Sequence, residues 1–387
     1  MKKINVILAV LTLFGLMTGS SDLSANTNAD VHGITMTVKM NGEIKFELRG
    51  SQTVTVNWGD GSPVETFMMS DPSVDYRFAH NYAQPAEYTI QIIGEDIKNL
   101  ECYKNQLKTL DVSKNPALER LSCTYNQLTT LDISKNTALT DLYCGNNQLT
   151  TLDVSKNPAL TSLSCDNNQL TTLDVSENPA LQELSCSDNQ LTTLDVSKNS
   201  VLKKLYCYDN QLTTLDVNKN TELTDLYCQS NHLTSLNVSK NTTLQALNCN
   251  ENNLTSLDVS KNTALEKMSC ESNQLKTLDV SKNTALEAMW CDGNQLTSLD
   301  VSNNTALQAL HCGGNQLTSL DVSRNSILDE LYCDNNQFST KSLNALFRAL
   351  NSNDNDAGEK IIKIYNNFGT DDCDRSIAEK KGWTEVD

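Results

Sequence analysis

Residues 139–159 read LTDLYCGNNQLTTLDVSKNPA, and these 21 residues decide the fold. Leu142 and Cys144 lie two apart with Tyr143 between them, the alternation of a strand that buries one face. Leu152 and Val154 repeat that spacing around Asp153. The two halves therefore form two short walls that bury Leu139, Leu142, Cys144, Leu149, Leu152 and Val154. Asn147 and Asn157 fall at the bends, where an inward carboxamide can bond backbone groups through both its C=O and its NH2. A single turn of this kind cannot bury its own apolar face and needs a copy above and below it.

The copies are present. Cys102, Cys123, Cys144, Cys165, Cys186, Cys207, Cys228, Cys249, Cys270, Cys291, Cys312 and Cys333 recur every 21 residues without a slip. Eleven full units span residues 97–327, and a further half unit ends at Gln337. Such a period outranks any local propensity argument. It predicts a mainly β solenoid with parallel strands on two walls and little helix. The unit L-x-x-L-x-C-x-x-N-Q-L-x-x-L-D-V-S-x-N resembles leucine-rich repeat proteins, in particular exported bacterial ones whose unit nests a ten- and an eleven-residue motif. The resemblance covers residues 97–337 and implies a parallel strand ladder and a protein-recognition role.

The flanks have other rhythms. Residues 1–25 read as a secretory signal, with Lys2 and Lys3 before an apolar run at 6–17 and small residues after it. The run is too short for a comfortable membrane span. Residues 26–96 alternate as strands do and turn at Gly59-Asp60-Gly61. With WGDGS at 58–62 and HNYAQPAEYTI at 80–90, this segment resembles the polycystic-kidney-disease type of domain. That likeness implies an immunoglobulin-like β-sandwich, here expected to cap the first repeat. Residues 338–387 lose the repeat. A helix over 339–350, a strand over 360–365 and a helix over 374–381 predict a small α/β cap, with Leu343, Leu346, Phe347 and Leu350 covering the last turn.

Composition excludes several functions. The net charge is −18; losing Lys2, Lys3 and Asp22 with the signal leaves −19, which repels phosphate backbones and anionic lipid. Neither nucleic-acid binding nor membrane insertion is expected. Thirteen cysteines suit a disulfide framework in an exported protein. However, equivalent positions on parallel strands sit ~4.8 Å apart with parallel Cβ vectors, and a bridge wants Cβ atoms at ~3.8 Å. Reduced, buried thiols are expected. There is no C-x-x-C, and His32, His80, His232 and His311 are scattered, so no metal or other cofactor is expected. No nucleophile–base–acid set or phosphate loop appears, so the chain is not expected to be an enzyme.

Two columns remain. An acidic one, running Asp111, Asp132, Asp153, Asp174 and onward to Asp321 with Asn237 in one gap, should repel itself by roughly 0.9 kcal/mol per neighbour pair in water. A lysine column three residues downstream is expected to offset that. The outward position before each cysteine varies instead: Glu101, Ser122, Tyr143, Ser164, Ser185, Tyr206, Tyr227, Asn248, Ser269, Trp290, His311, Tyr332. Exposed rings anchor partners. The candidate ligand-binding residues are therefore Tyr143, the group Tyr206, Tyr208 and Tyr227, and the group Trp290, His311 and Tyr332. The expected function is recognition or adhesion outside the cytoplasm, secreted, periplasmic or on the cell surface, toward a protein or host-surface ligand. A ligand-free structural spacer and a glycan-binding module are the alternatives. A cleft flanked by rings and carboxamides would favour sugar.

Overall fold

The computed structural model of the protein describes residues 33–352 and 359–385. The expected signal, residues 1–25, lies outside the described residues. The described residues fall into two compact units, divided between residues 169 and 170.

In the first unit, strands β1 (Gly33–Asn57), β2 (Glu65–Met69), β3 (Tyr76–Ile93), β4 (Asp96–Glu101) and β5 (Leu107–Asp111) come first. β1 pairs antiparallel with all four others. Thr35–Val38 lie opposite Asp111–Leu107, and Glu47–Ser51 lie opposite Glu101–Asp96, so β1 runs along both walls of the first repeat. Aromatic rings fill this region. Trp58 is fully buried, and Tyr82 Oη donates to its carbonyl at 2.6 Å. The turn after β1 needs glycine at 59, where φ is +79° and a Cβ would sit 2.3 Å from the Thr89 carbonyl oxygen. Parallel strands Arg120–Ser122, Asp141–Tyr143 and Ser162–Ser164 then follow β4 in register.

The second unit carries eight three-residue strands, from Glu183–Ser185 to Glu330–Tyr332, each preceding a cysteine. Neighbouring strands pair in parallel with no register slip, Leu205 opposite Leu226 and Leu310 opposite Leu331. The non-repeating strands Lys360–Lys363 and Trp383–Glu385 continue the same ladder. Helix α1 (Thr340–Ala349) starts where Ser339 Oγ accepts the Ser342 amide, and it buries Leu343, Leu346 and Phe347. The second helix is shorter than expected, Ser376–Glu379.

Strands do not form on both walls. Among the described residues the second wall holds only β5. The reason is local competition for backbone donors. The aspartate takes the amide two residues on, usually that of a serine, as Asp153 Oδ1 takes the Ser155 N–H at 2.9 Å and Asp216 Oδ1 the Asn218 N–H at 2.9 Å. The next amides close short turns, Asn157 N to Val154 O at 3.0 Å and Leu160 N to Asn157 O at 3.1 Å. One inter-turn bond per repeat is left at the start of the wall, such as Gln211 N to Leu191 O at 2.9 Å. On the cysteine wall the cysteine's own amide and the one two residues on stay in the ladder, as with Cys207 N to Tyr227 O at 2.9 Å and Asp209 N to Gln229 O at 3.1 Å.

The two asparagine corners also differ. At the first, Asn210 Nδ2 donates to the carbonyls of Cys186, Cys207 and Tyr208, while its Oδ1 accepts the Leu191 amide. At the second, Asn220 Nδ2 donates to Val196 and Asn199 carbonyls, and its buried Oδ1 has no hydrogen-bond donor. Only the first corner uses the carboxamide from both ends.

The thirteen cysteines are buried thiols. Burial pushes Cys123 and Cys228 up to about 12, which removes the reactive thiolate at neutral pH. A thiol reagent is therefore expected to label almost nothing in the native protein and thirteen groups after denaturation without reductant. A count near one after denaturation would mean that the ladder is oxidised in pairs.

Candidate binding face

Each outward side chain before a cysteine sits at the end of a strand, three residues long in all but β4, so in-register pairing stacks these side chains one per turn. In the first unit Tyr143 is covered by Arg120, whose guanidinium carbon lies 4.6 Å from the ring centroid. Arg120 also approaches Glu101 at 3.4 Å and Asp141 at 3.8 Å. That ring is thus bound into a local ion network.

The second unit holds the other candidates. Tyr206 and Tyr227 are adjacent, centroids 5.3 Å apart and tilted by 40°. Partial burial pushes the Tyr206 hydroxyl up to about 12, so it stays a neutral donor at physiological pH. Tyr208 stands past the strand end, on the column that follows the cysteines, with Gln229 and Asn250. Trp290, His311 and Tyr332 form a continuous stack. Trp290 meets His311 edge-on at 6.0 Å, and His311 lies face to face with Tyr332 at 3.9 Å. Lys363 Nζ covers Tyr332 at 4.2 Å. His311 Nε2 comes within 3.1 Å of Glu330 Oε1 but off the line a hydrogen bond requires.

Between these two ring groups lies a groove of about 290 Å³. Tyr227 and Trp290 wall it, Asn248 and Ser269 are the small rungs between them, and Asn250 and Glu271 flank the floor. Sequence reasoning missed Asn250 and Glu271. The signal was available, because the residue after each cysteine varies as freely as the one before it: Gln229, Asn250, Glu271, Asp292, Gly313, Asp334.

The opposite wall is uniform. The serine two residues downstream holds Asp153, Asp195 and Asp321 below the usual carboxylate range, its backbone N–H contributing most and its hydroxyl next. Lys156, Lys198 and Arg324 add a smaller attraction. The acidic column is therefore stabilised mainly by its own turns and less by a lysine ladder. Asn237 fits the gap because its Oδ1 accepts the Ser239 amide in the same way, at 3.0 Å.

A two-copy leucine-rich repeat model matches residues 116–157 and 137–178. The functional domain of InlJ from Listeria monocytogenes, which includes a cysteine ladder, is 32% identical, covering 70% of this chain and 68% of that one with a TM-score of 0.54. The chain belongs to the leucine-rich repeat family. The leucine-rich repeat protein LIC12759 of Leptospira interrogans shares the fold at 23% identity, covering 74% of this chain and 83% of that one, with a TM-score of 0.63. The internalin InlF of Listeria monocytogenes shares it at 22% identity, 64% and 84% coverage, and a TM-score of 0.54. A search of curated protein sequences returns no match. Among the described residues of this leucine-rich repeat protein, no group of three or more His, Cys, Asp or Glu side chains could hold a metal ion. No helix among them is long and apolar enough to cross a membrane.

One residue of the repeat surface departs from ordinary chemistry. Burial pushes Asp292 up to about 7, and Glu271 and Asp334 push the same way. The Gly313 amide donates to its Oδ1 at 2.8 Å, while its buried Oδ2 has no hydrogen-bond donor. A carboxyl with a raised folded pKa favours folding below its unfolded value near 3.8 and loses that contribution as pH rises toward 7. Asp292→Asn is therefore expected to melt higher than the parent at pH 8, by about 2–4 °C for each kcal/mol recovered, with the gap closing toward pH 4. Equal gaps at both pH values in a thermal-melt series would contradict the assignment.

Proposed function

We propose that this leucine-rich repeat protein is an exported recognition module that binds a protein ligand at a cell surface through its cysteine-strand face. The observation that carries the reading is the contrast within the second unit. One side repeats Asp-Val-Ser with little change, and the other presents half-buried Tyr206, Tyr227, Trp290, His311 and Tyr332. Rings already held by neighbours lose little conformational freedom on binding, which is what makes a good anchor. Leucine-rich repeat scaffolds, internalins among them, typically mediate protein–protein recognition and are generally non-enzymatic. That supports a binding role, and a host-surface ligand is one instance of it.

The signal-like residues 1–25 support export. Residues 26–96 act as the N-terminal cap, a shortened polycystic-kidney-disease-like module; the pairing of β1 with β4 and β5 supports this, because it satisfies edges that would otherwise recruit another chain. Residues 338–387 act as the second cap, as the burial of Leu343, Leu346 and Phe347 suggests.

The test is an array of extracellular and cell-surface proteins probed with the purified chain. Saturable binding to at least one member is expected, competed by the unlabelled chain. Binding to none would leave the spacer reading in its place.

A further inference from the structure

We propose that the groove between Tyr227 and Trp290 binds a neutral saccharide of one or two pyranose rings. This goes beyond the protein-recognition reading and does not depend on it. The two rings are three rungs apart, roughly 14 Å at the spacing of parallel strands. That gap is too wide for both to cage one ammonium group, which needs each ring centroid within about 6 Å. Each ring instead offers a separate apolar wall, and the C–H face of a pyranose packs against the electron-rich face of an aromatic ring.

The floor between them is polar and already fixed. Ser269 Oγ lies 2.7 Å from Asn250 Oδ1 and 3.1 Å from Glu271 Oε2, and the Glu271 amide donates to Asn250 Oδ1 at 2.7 Å. Asn250 Nδ2 donates in turn to Glu271 Oε2, and the Asn248 carboxamide accepts the Asn250 amide at 3.1 Å. Ring hydroxyls, which both donate and accept, match such a mixture of carboxamide and carboxylate. Glu271 and the net charge of −18 disfavour phosphate, sulfate or a uronic acid, against the single lining cation Lys267. The volume of about 290 Å³ lies just below the usual ligand-pocket range of about 300–1,000 Å³, which limits the occupant to a small unit or a chain end.

The protein carries its own reporter. Of its three tryptophans, Trp58 and Trp383 are 0% and 1% exposed, while Trp290 is half-buried on the groove wall. Acrylamide should therefore quench chiefly Trp290. The experiment titrates the purified full chain with a panel of neutral mono- and disaccharides built on glucose, galactose, mannose and N-acetylglucosamine. At least one is expected to protect the fluorescence from acrylamide. Glu271→Gln and Asn250→Ala should each weaken that sugar by about tenfold, the loss expected for one hydrogen bond to a charged or fixed polar group. Asp300→Asn, on the opposite wall and outside the groove, should change nothing, and calorimetry on Trp290→Phe should still find binding, because a ring remains. Circular dichroism identical to the parent's shows that the variants fold. Protection by no sugar overturns the proposal, as does protection unchanged in Glu271→Gln and Asn250→Ala. A chain that binds an array protein but no sugar overturns this proposal alone. A chain that binds sugar but no protein overturns the other.

Discussion

Asn252→Ala is expected to lower the unfolding free energy by about 3 kcal/mol or more, although the residue contributes almost no apolar surface. Its Nδ2 donates to the carbonyls of Cys228, Cys249 and Asn250 at 3.1, 3.2 and 2.9 Å. Its Oδ1 accepts the Leu233 amide at 2.9 Å. Alanine would leave the Leu233 amide a buried orphan, at about 1–3 kcal/mol, and would break three further bonds at about 0.5–1.5 kcal/mol each, although the Cys228, Cys249 and Asn250 carbonyls keep Asn231 Nδ2, Asn273 Nδ2 and the Ser230 amide as second donors. Asn262→Ala supplies the comparison. It breaks only two donated bonds, to Val238 at 2.9 Å and Asn241 at 2.8 Å, and it also removes a buried Oδ1 that has no donor. Its loss should be clearly smaller. Guanidinium unfolding of the parent and both variants reads the difference, and equal losses would mean that the two corners are energetically alike.

The second large effect concerns binding. Replacing Trp290 and Tyr332 together by alanine should weaken an array-identified protein ligand by about 30-fold or more, equivalent to about 2 kcal/mol. The same pair should cost little stability, since both rings stand outside the leucine and cysteine core. The stack does make some cost unavoidable: His311 loses a face-to-face partner at 3.9 Å, and Lys363 loses the ring it covers at 4.2 Å. Changing Asp300 and Asp321 to Asn on the other wall should leave binding unchanged and stability nearly so, because an asparagine can still accept the serine amide, as Asn237 does. If the ring variants melt several degrees lower yet bind normally, the rings are structural.

What could be read from sequence follows from how tightly burial constrains each position. Leu142, Cys144, Leu149, Leu152 and Val154 all lie inside, because only one register of a 21-residue turn hides all of them. The second wall is not strand beyond β5 among the described residues, although its spacing predicts one. Leu152-Asp153-Val154 has strand spacing, but spacing does not reveal that the Asp153 carboxylate captures the amide a ladder would need. The lysine ladder contributes less than its charge suggests for a related reason, since charge is visible in a sequence and a turn's hydrogen bond is not. The ring column was found by its period. The groove within it was not, because its depth depends on Ser269 being tied to Asn250 and Glu271 on the neighbouring column. Asp292 likewise reads as one more surface carboxylate until Gly313 and Asp334 are seen packed beside it.

The claim that the strand face is the recognition surface is tested most directly by hydroxyl-radical footprinting of the purified chain, alone and saturated with an array-identified protein ligand. Side-chain oxidation is expected to fall at Tyr227, Trp290, His311 and Tyr332 in the complex and to stay unchanged at Leu299, Leu320 and the residues around Asp300 and Asp321. Protection centred on the Asp300–Asp321 wall, with Trp290 and Tyr332 oxidised as in the unbound chain, would contradict it.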